Sequence, residues 1–157
     1  MMRRRLPALL IALAAAMPGL PVLADATEEN PAAAQLDPDF AAGKKAIEAK
    51  NWNAAIKSLS SAALRDTRNP DIQNYLGFAY RNAGKLEDAF RHYEKALALS
   101  PRHRGAHEYV GEAYLMAGNL AKAEEHLAKL REICLIPCEE FEDLRKKVEE
   151  YRQRGAR

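Results

Sequence analysis

The stretch NPDIQNYLGFAYRNAGKLEDAFRHYEKALALSP, residues 69–101, decides the architecture. Its apolar residues fall at helical spacing in two runs, Leu76 and Tyr80, then Leu86, Phe90, Tyr93 and Leu97, separated by Asn82-Ala83-Gly84. Asn69 places a capping side chain ahead of Pro70, and proline at the first helical position gives up an N–H that has no partner there anyway. Gly84 stands where a helix stops in the left-handed conformation, which glycine adopts without a Cβ clash. The stretch therefore predicts two short helices joined by a tight turn.

The same pattern recurs on both sides of it. Gly43, Gly77 and Gly111 recur at one constant interval, and Ala55, Ala89 and Ala123 recur at that same interval. Leu59, Tyr93 and Leu127 form an apolar column, Ala62, Ala96 and Leu130 another, and Tyr80 matches Tyr114. Agreement of independent columns at one spacing marks an internal repeat. Gly118 is the stop of the third unit and Asn51 is expected to do that work in the first. Asp37-Pro38, Asn69-Pro70 and Ser100-Pro101 predict helix starts near 38, 70 and 102. The glycines fall on the first helix of each pair and the alanines on the second, where a large side chain would hold two backbones apart.

These columns resemble the tetratricopeptide repeat. Its signature appears in the middle unit as Leu76, Gly77, Tyr80, Ala89, Tyr93, Ala96 and Pro101. The third unit keeps Val110, Gly111, Tyr114, Ala123 and Leu127 but has Leu130 for the alanine and lacks the closing proline. The first has Ala46 in the tyrosine column and Thr67 for the proline; terminal repeats are commonly atypical because they lack a neighbour. The resemblance implies an all-α fold, a right-handed superhelix of three helix pairs within residues 37–133, in units of about 36–69, 70–103 and 104–137. Residues 138–154 then form a capping helix, with Phe141, Leu144, Val148 and Tyr151 on one stripe.

The resemblance also implies a function, that of a scaffold or adaptor holding a protein or peptide in a concave groove, lined by variable positions on the first helix of each pair. Those map to Phe40, Lys44, Ile47 and Glu48, to Asn74, Phe78, Arg81 and Asn82, and to Glu108, Glu112, Leu115 and Met116. The expected surface is an aromatic and apolar strip with Lys44 and Arg81 at one end and Glu108 and Glu112 at the other. One subfamily clamps acidic chaperone C-termini. Here Lys44 replaces an expected Asn, and Gly105 and Tyr109 stand where Lys and Arg are expected, so the clamp does not carry over.

The N-terminus reads separately. Arg3, Arg4 and Arg5 precede the apolar run Leu6 to Met17, and small residues follow at Val22-Leu23-Ala24 and Ala24-Asp25-Ala26. Residues 1–24 are expected to be a secretory signal peptide, cleaved after Ala24 or, alternatively, after Ala26, with 25–36 a flexible linker. The expected location is the periplasm or outside the cell. The chain has no cysteine beside the cleavage site that could carry lipid. Of the 157 residues, 24 are basic and 22 acidic; losing the three leader arginines leaves 21 basic residues, so no basic excess remains to suggest nucleic acid or insertion in an anionic membrane.

No nucleophile–base string, GxGxxG or GxxxxGK[ST] occurs, so neither an enzyme nor a cofactor is expected. His103 and His107 share a helix face at i, i+4, with His126 as a candidate neighbour, a weak candidate for a metal. Cys134 and Cys138, at the junction of the third repeat and the cap, are expected to form a disulfide in an oxidising compartment, worth about 2 kcal/mol for so small a loop. A thiol-redox or copper-handling role for this pair, and self-assembly through repeat edges, stay open as alternatives.

Overall fold

The computed structural model describes residues 37–155; the expected leader and linker lie outside them. The described residues form seven α-helices: α1 Pro38–Glu48, α2 Trp52–Arg65, α3 Pro70–Asn82, α4 Leu86–Leu99, α5 Arg104–Met116, α6 Leu120–Ile133 and α7 Glu139–Gly155. The first six pack as antiparallel pairs, each second helix leaning on the first helix of the next pair, and α7 packs on both α5 and α6. The first helices α1, α3, α5 and α7 also touch in succession and form one face of the stack. Among the described residues no helix is long and apolar enough to cross a membrane.

Side chains at the helix starts explain where the helices begin. Asp37 accepts hydrogen bonds from the N–H groups of Asp39 and Phe40, and Asn69 from those of Asp71 and Ile72, each ahead of a proline. Arg65, at the end of α2, also donates to Asp37, and this contact is the main reason the Asp37 pKa lies at about 2. The third start corrects the expected one near 102. Ser100 still donates to Ala96 O at 2.8 Å, closing α4, and residues 101–102 make a turn. His103 is the cap, its Nδ1 accepting from Ala106 N at 3.1 Å, so α5 begins at Arg104, one period after Pro70.

A second correction concerns the turns. Gly84 and Gly118 both have φ +77°, and the residue one period earlier, Lys50, has φ 55°. Asn51, expected to stop the first helix, instead caps the second by accepting from Ala54 N. The three turns share their hydrogen bonds: Asn51 N to Ala46 O at 2.8 Å, Lys85 N to Tyr80 O at 2.9 Å and Asn119 N to Tyr114 O at 2.8 Å. Lys50 therefore occupies a position whose geometry favours glycine.

Close approach decides the small columns. A Cβ at Gly43 would lie 2.5 Å from Leu59 Cγ, and one at Gly77 2.5 Å from Tyr93 Cε1, both within their own pairs. At Gly111 the nearest atom is instead Leu144 Cδ2, 2.6 Å away on α7. The capping helix thus drives a leucine into the third pair. Phe141, Leu144 and Val148 are buried there together with Leu115, Ala123 and Leu130.

Candidate functional site

The face formed by α1, α3, α5 and α7 carries one aromatic cluster of edge-on and tilted rings. Phe78 on α3 lies between Trp52 and Tyr109, with ring centroids 6.2 and 4.9 Å away. The Arg81 guanidinium sits 5.2 Å from the Phe78 ring and 5.4 Å from that of Tyr109. It is ion-paired with Glu112 and donates to Tyr109 O at 3.4 Å.

Two recesses lie beside this cluster, and they differ in charge. One, of about 630 Å³, lies between the C-terminal ends of α3, α5 and α7 and is lined by Arg81, Asn82, Glu112, Met116, Lys147 and Arg154, among others. The other, of about 430 Å³, lies between their N-terminal halves, where Asp71, Glu108, Glu139, Glu140 and Asp143 surround Asn74, Tyr75 and Tyr109. Glu108 is buried there at 8% exposure. Burial first, then the like charges of Glu112, Asp143 and Glu140, push its pKa up to about 8, against the opposing pull of Arg81. Burial and the Glu108 carboxyl raise Tyr109 to about 12.

The residues expected to line a groove therefore divide. Asn74 and Glu108 meet in the acidic recess, and Arg81, Asn82, Glu112, Leu115 and Met116 in the basic one, while Phe78 stands between. Phe40, Lys44, Ile47 and Glu48 line neither. Phe40 is 3% exposed, packed edge-on against Tyr75 and covered by the Lys44 ammonium at 5.3 Å; Ile47 packs on the same core, and Glu48 is exposed. Arg81 is 6% exposed and already held by Glu112, so it shapes the groove from inside. The expected polarity is corrected too. Charge separates along the helix axes, N-terminal halves against C-terminal ends, and Glu112 shares its recess with Arg81 instead of standing opposite it. The spacing argument missed Tyr75 and Tyr109, and Lys147, Tyr151 and Arg154 on α7.

The histidines do not gather as the spacing suggested. His103 Nε2 lies 2.9 Å from Asp71 Oδ1, whereas the buried His107 faces His126, Nδ1 to Nδ1 at 2.9 Å, with Nε2 3.1 Å from Pro101 O. Because a carbonyl only accepts, His107 carries its proton on Nε2 and His126 donates from Nδ1. Desolvation holds both pKa values down, His126 to about 4. Among the described residues no three His, Cys, Asp or Glu side chains are grouped to hold a metal ion. Cys134 and Cys138 are bonded, with Cα atoms 5.9 Å apart, and the loop between them exposes Leu135 and Ile136.

Comparison with known proteins identifies the repeat. Residues 70–103 match the family model described as tetratricopeptide repeat. Among solved structures, the type III secretion translocator chaperone SycD of Yersinia enterocolitica is similar with a TM-score of 0.69 at 16% identity, over 80% of this chain and 88% of that one. The TPR2B domain of yeast Sti1, solved with pHsp70, gives 0.68 at 16% identity, over 74% and 94%. PcrH, solved with the chaperone binding region of PopD, gives 0.67 at 19% identity, over 77% and 93%. No curated protein sequence matches significantly. Residues 70–103 are thus a tetratricopeptide repeat, and the helical stack on either side of them has the fold of tetratricopeptide-repeat domains.

Proposed function

We propose that the chain is a non-catalytic adaptor that holds a segment of another protein in the groove along α1, α3, α5 and α7, working in the periplasm or outside the cell after loss of residues 1–24. The observation that carries this is the groove's composition. An aromatic cluster of Trp52, Phe78 and Tyr109 lies beside an acidic recess and a basic one, and side chains of α3, α5 and α7 contribute to each recess. Such a surface offers apolar anchorage in the middle and opposite charges on either side, which suits an extended or helical segment. Support also comes from the similar proteins, of which PcrH is seen with a region of PopD and TPR2B with pHsp70.

The test uses groove residues that carry no core. Met116 is 59% exposed and Lys147 is exposed. Met116→Arg with Lys147→Glu should abolish capture of a specific protein from envelope extract at unchanged melting temperature, while Lys95→Glu on α4 should leave capture intact. Equal capture by both variants would place the binding surface elsewhere. Cell fractionation checks the location, and recovery of the full-length chain in the cytosol would refute it.

A further inference from the structure

Building on the groove reading above, we infer that the recess between the N-terminal halves of α3, α5 and α7 seats a positively charged side chain of the partner segment, an arginine or a lysine. The recess is rich in acceptors and short of cations. Its basic side chains are already engaged: Arg104 Nε lies 3.5 Å from Glu140 Oε1, and His103, whose Nδ1 accepts from Ala106 N, has its Nε2 2.9 Å from Asp71 Oδ1. Glu108, Glu139 and Asp143 have no ion-pair partner among the described residues.

A second observation points to a ligand independently of the acidic cluster. Asn74 lines the recess at 4% exposure, and its buried Oδ1 accepts no hydrogen bond. Buried side-chain oxygens are ordinarily paired, so an orphan acceptor beside unpaired carboxylates marks a place for a donor. Gly105 keeps the space open: a Cβ there would come within 3.2 Å of Asn74 Nδ2. A guanidinium or ammonium supplies only donors, and a guanidinium also presents a flat face to aromatic rings such as Tyr75 and Tyr109. The recess, about 430 Å³, has room for one such side chain.

Glu108 gives the binding event a chemical signature. It faces Glu112 on its own helix, Arg81 on α3, and Glu140 and Asp143 on α7, and with a pKa of about 8 it is mostly protonated at pH 7 while the recess is empty. An incoming cation favours the ionised form, so its arrival expels a proton from Glu108.

A random dodecapeptide library displayed on phage, selected in parallel on the full chain and on a Glu140→Gln/Asp143→Asn variant, tests this. Both substitutions lie on α7 outside its buried stripe and spare the core. The expected result is enrichment of arginine- or lysine-bearing peptides on the unsubstituted protein. Replacing that residue by citrulline or norleucine should weaken binding about tenfold, as should the double variant and, separately, Glu108→Gln. Because the buffer takes up the proton that Glu108 releases, the binding heat at pH 7 should differ between phosphate and Tris by the number of protons released times the difference in the two buffers' protonation enthalpies.

Peptides that need Met116 but carry no basic residue would overturn the inference and leave the groove reading standing. Absence of any groove-dependent peptide would overturn both. Saturable binding of Ca²⁺ alone, lost in the double variant, would assign the recess to a metal ion and also overturn it.

Discussion

Glu108→Gln separates the electrostatics of the groove from everything else that titrates in this fold. The carboxyl has a pKa of about 8 when folded, against 4.5 in an unstructured chain, mainly because it is buried. Between those values the folded chain keeps a proton that the unfolded chain has released, so stability falls as pH rises from 4.5 to 8. Below 4.5 both states are protonated and the full contribution is present; above 8 the loss is complete. The two pKa values set an upper bound on that loss of about 4.8 kcal/mol at 1.36 kcal/mol per decade. The recess is open on one side, and screening by solvent there reduces the expectation to about 2 kcal/mol. Glutamine keeps the shape of the protonated acid and has no proton to lose, so the variant should match the parent near pH 4 and exceed it by about 2 kcal/mol at pH 9.

Urea unfolding followed by circular dichroism at pH 4, 6, 8 and 9 reads this, and only the difference between the two proteins should be interpreted. His92, His107 and His126 are all held below the usual histidine pKa by desolvation, the first and last at about 4. Their folded pKa values lie below the unfolded 6.5, so they remove stability as pH falls, the opposite slope in an overlapping window. They cancel in the difference. Parallel stability curves for parent and variant would refute the assignment of a neutral, buried Glu108.

Four further outcomes follow from the same physics. Lys50→Gly should stabilise the fold by about 1 kcal/mol by relieving a left-handed residue at φ 55°, and a melting temperature no higher than the parent's would argue against that geometry. Gly77→Ala forces a Cβ to within 2.5 Å of the fully buried Tyr93 and should cost about 1–3 kcal/mol in urea unfolding; a cost near zero would mean the tyrosine yields freely. His126→Gln removes a group whose folded pKa is about 4, so stability should fall less steeply between pH 6.5 and 4, and an unchanged slope in an acid titration would place the protonation elsewhere. Cys138→Ser opens the junction loop and should cost about 2 kcal/mol while abolishing any effect of reductant on the melting curve.

How much of this was legible beforehand follows from what a repeat spacing encodes. Columns that recur at one interval report contacts made in the same way in successive units, so the pairing of helices and the need for a small residue at Gly43 and Gly77 could be read from spacing; that the groups filling the space are the Leu59 and Tyr93 side chains came from the structure. In each of those units the glycine's partner is the apolar column of the second helix, which in the third unit points to Leu127. The structure puts Leu144 there instead, because α7 is not a repeat unit and its register obeys no period. The turn stops were legible only where glycine marked them; Lys50 occupies the same column with the same sign of φ but a residue type that signals nothing.

Charge was the least legible property, and the reason is specific to the groove. Glu108 and Glu112 stand one turn apart on one helix and look equivalent as letters, so both read as available to a partner. Glu112 is taken by Arg81 from the preceding repeat, whereas Glu108 faces Glu140 and Asp143 from the capping helix that follows the last one. What distinguishes a neutralised carboxylate from an acidic recess is thus the partner that a neighbouring helix brings to each, α3 for one and α7 for the other. A groove whose specificity is set by such partners can change its ligand through substitutions on the capping helix alone, with every repeat column left intact.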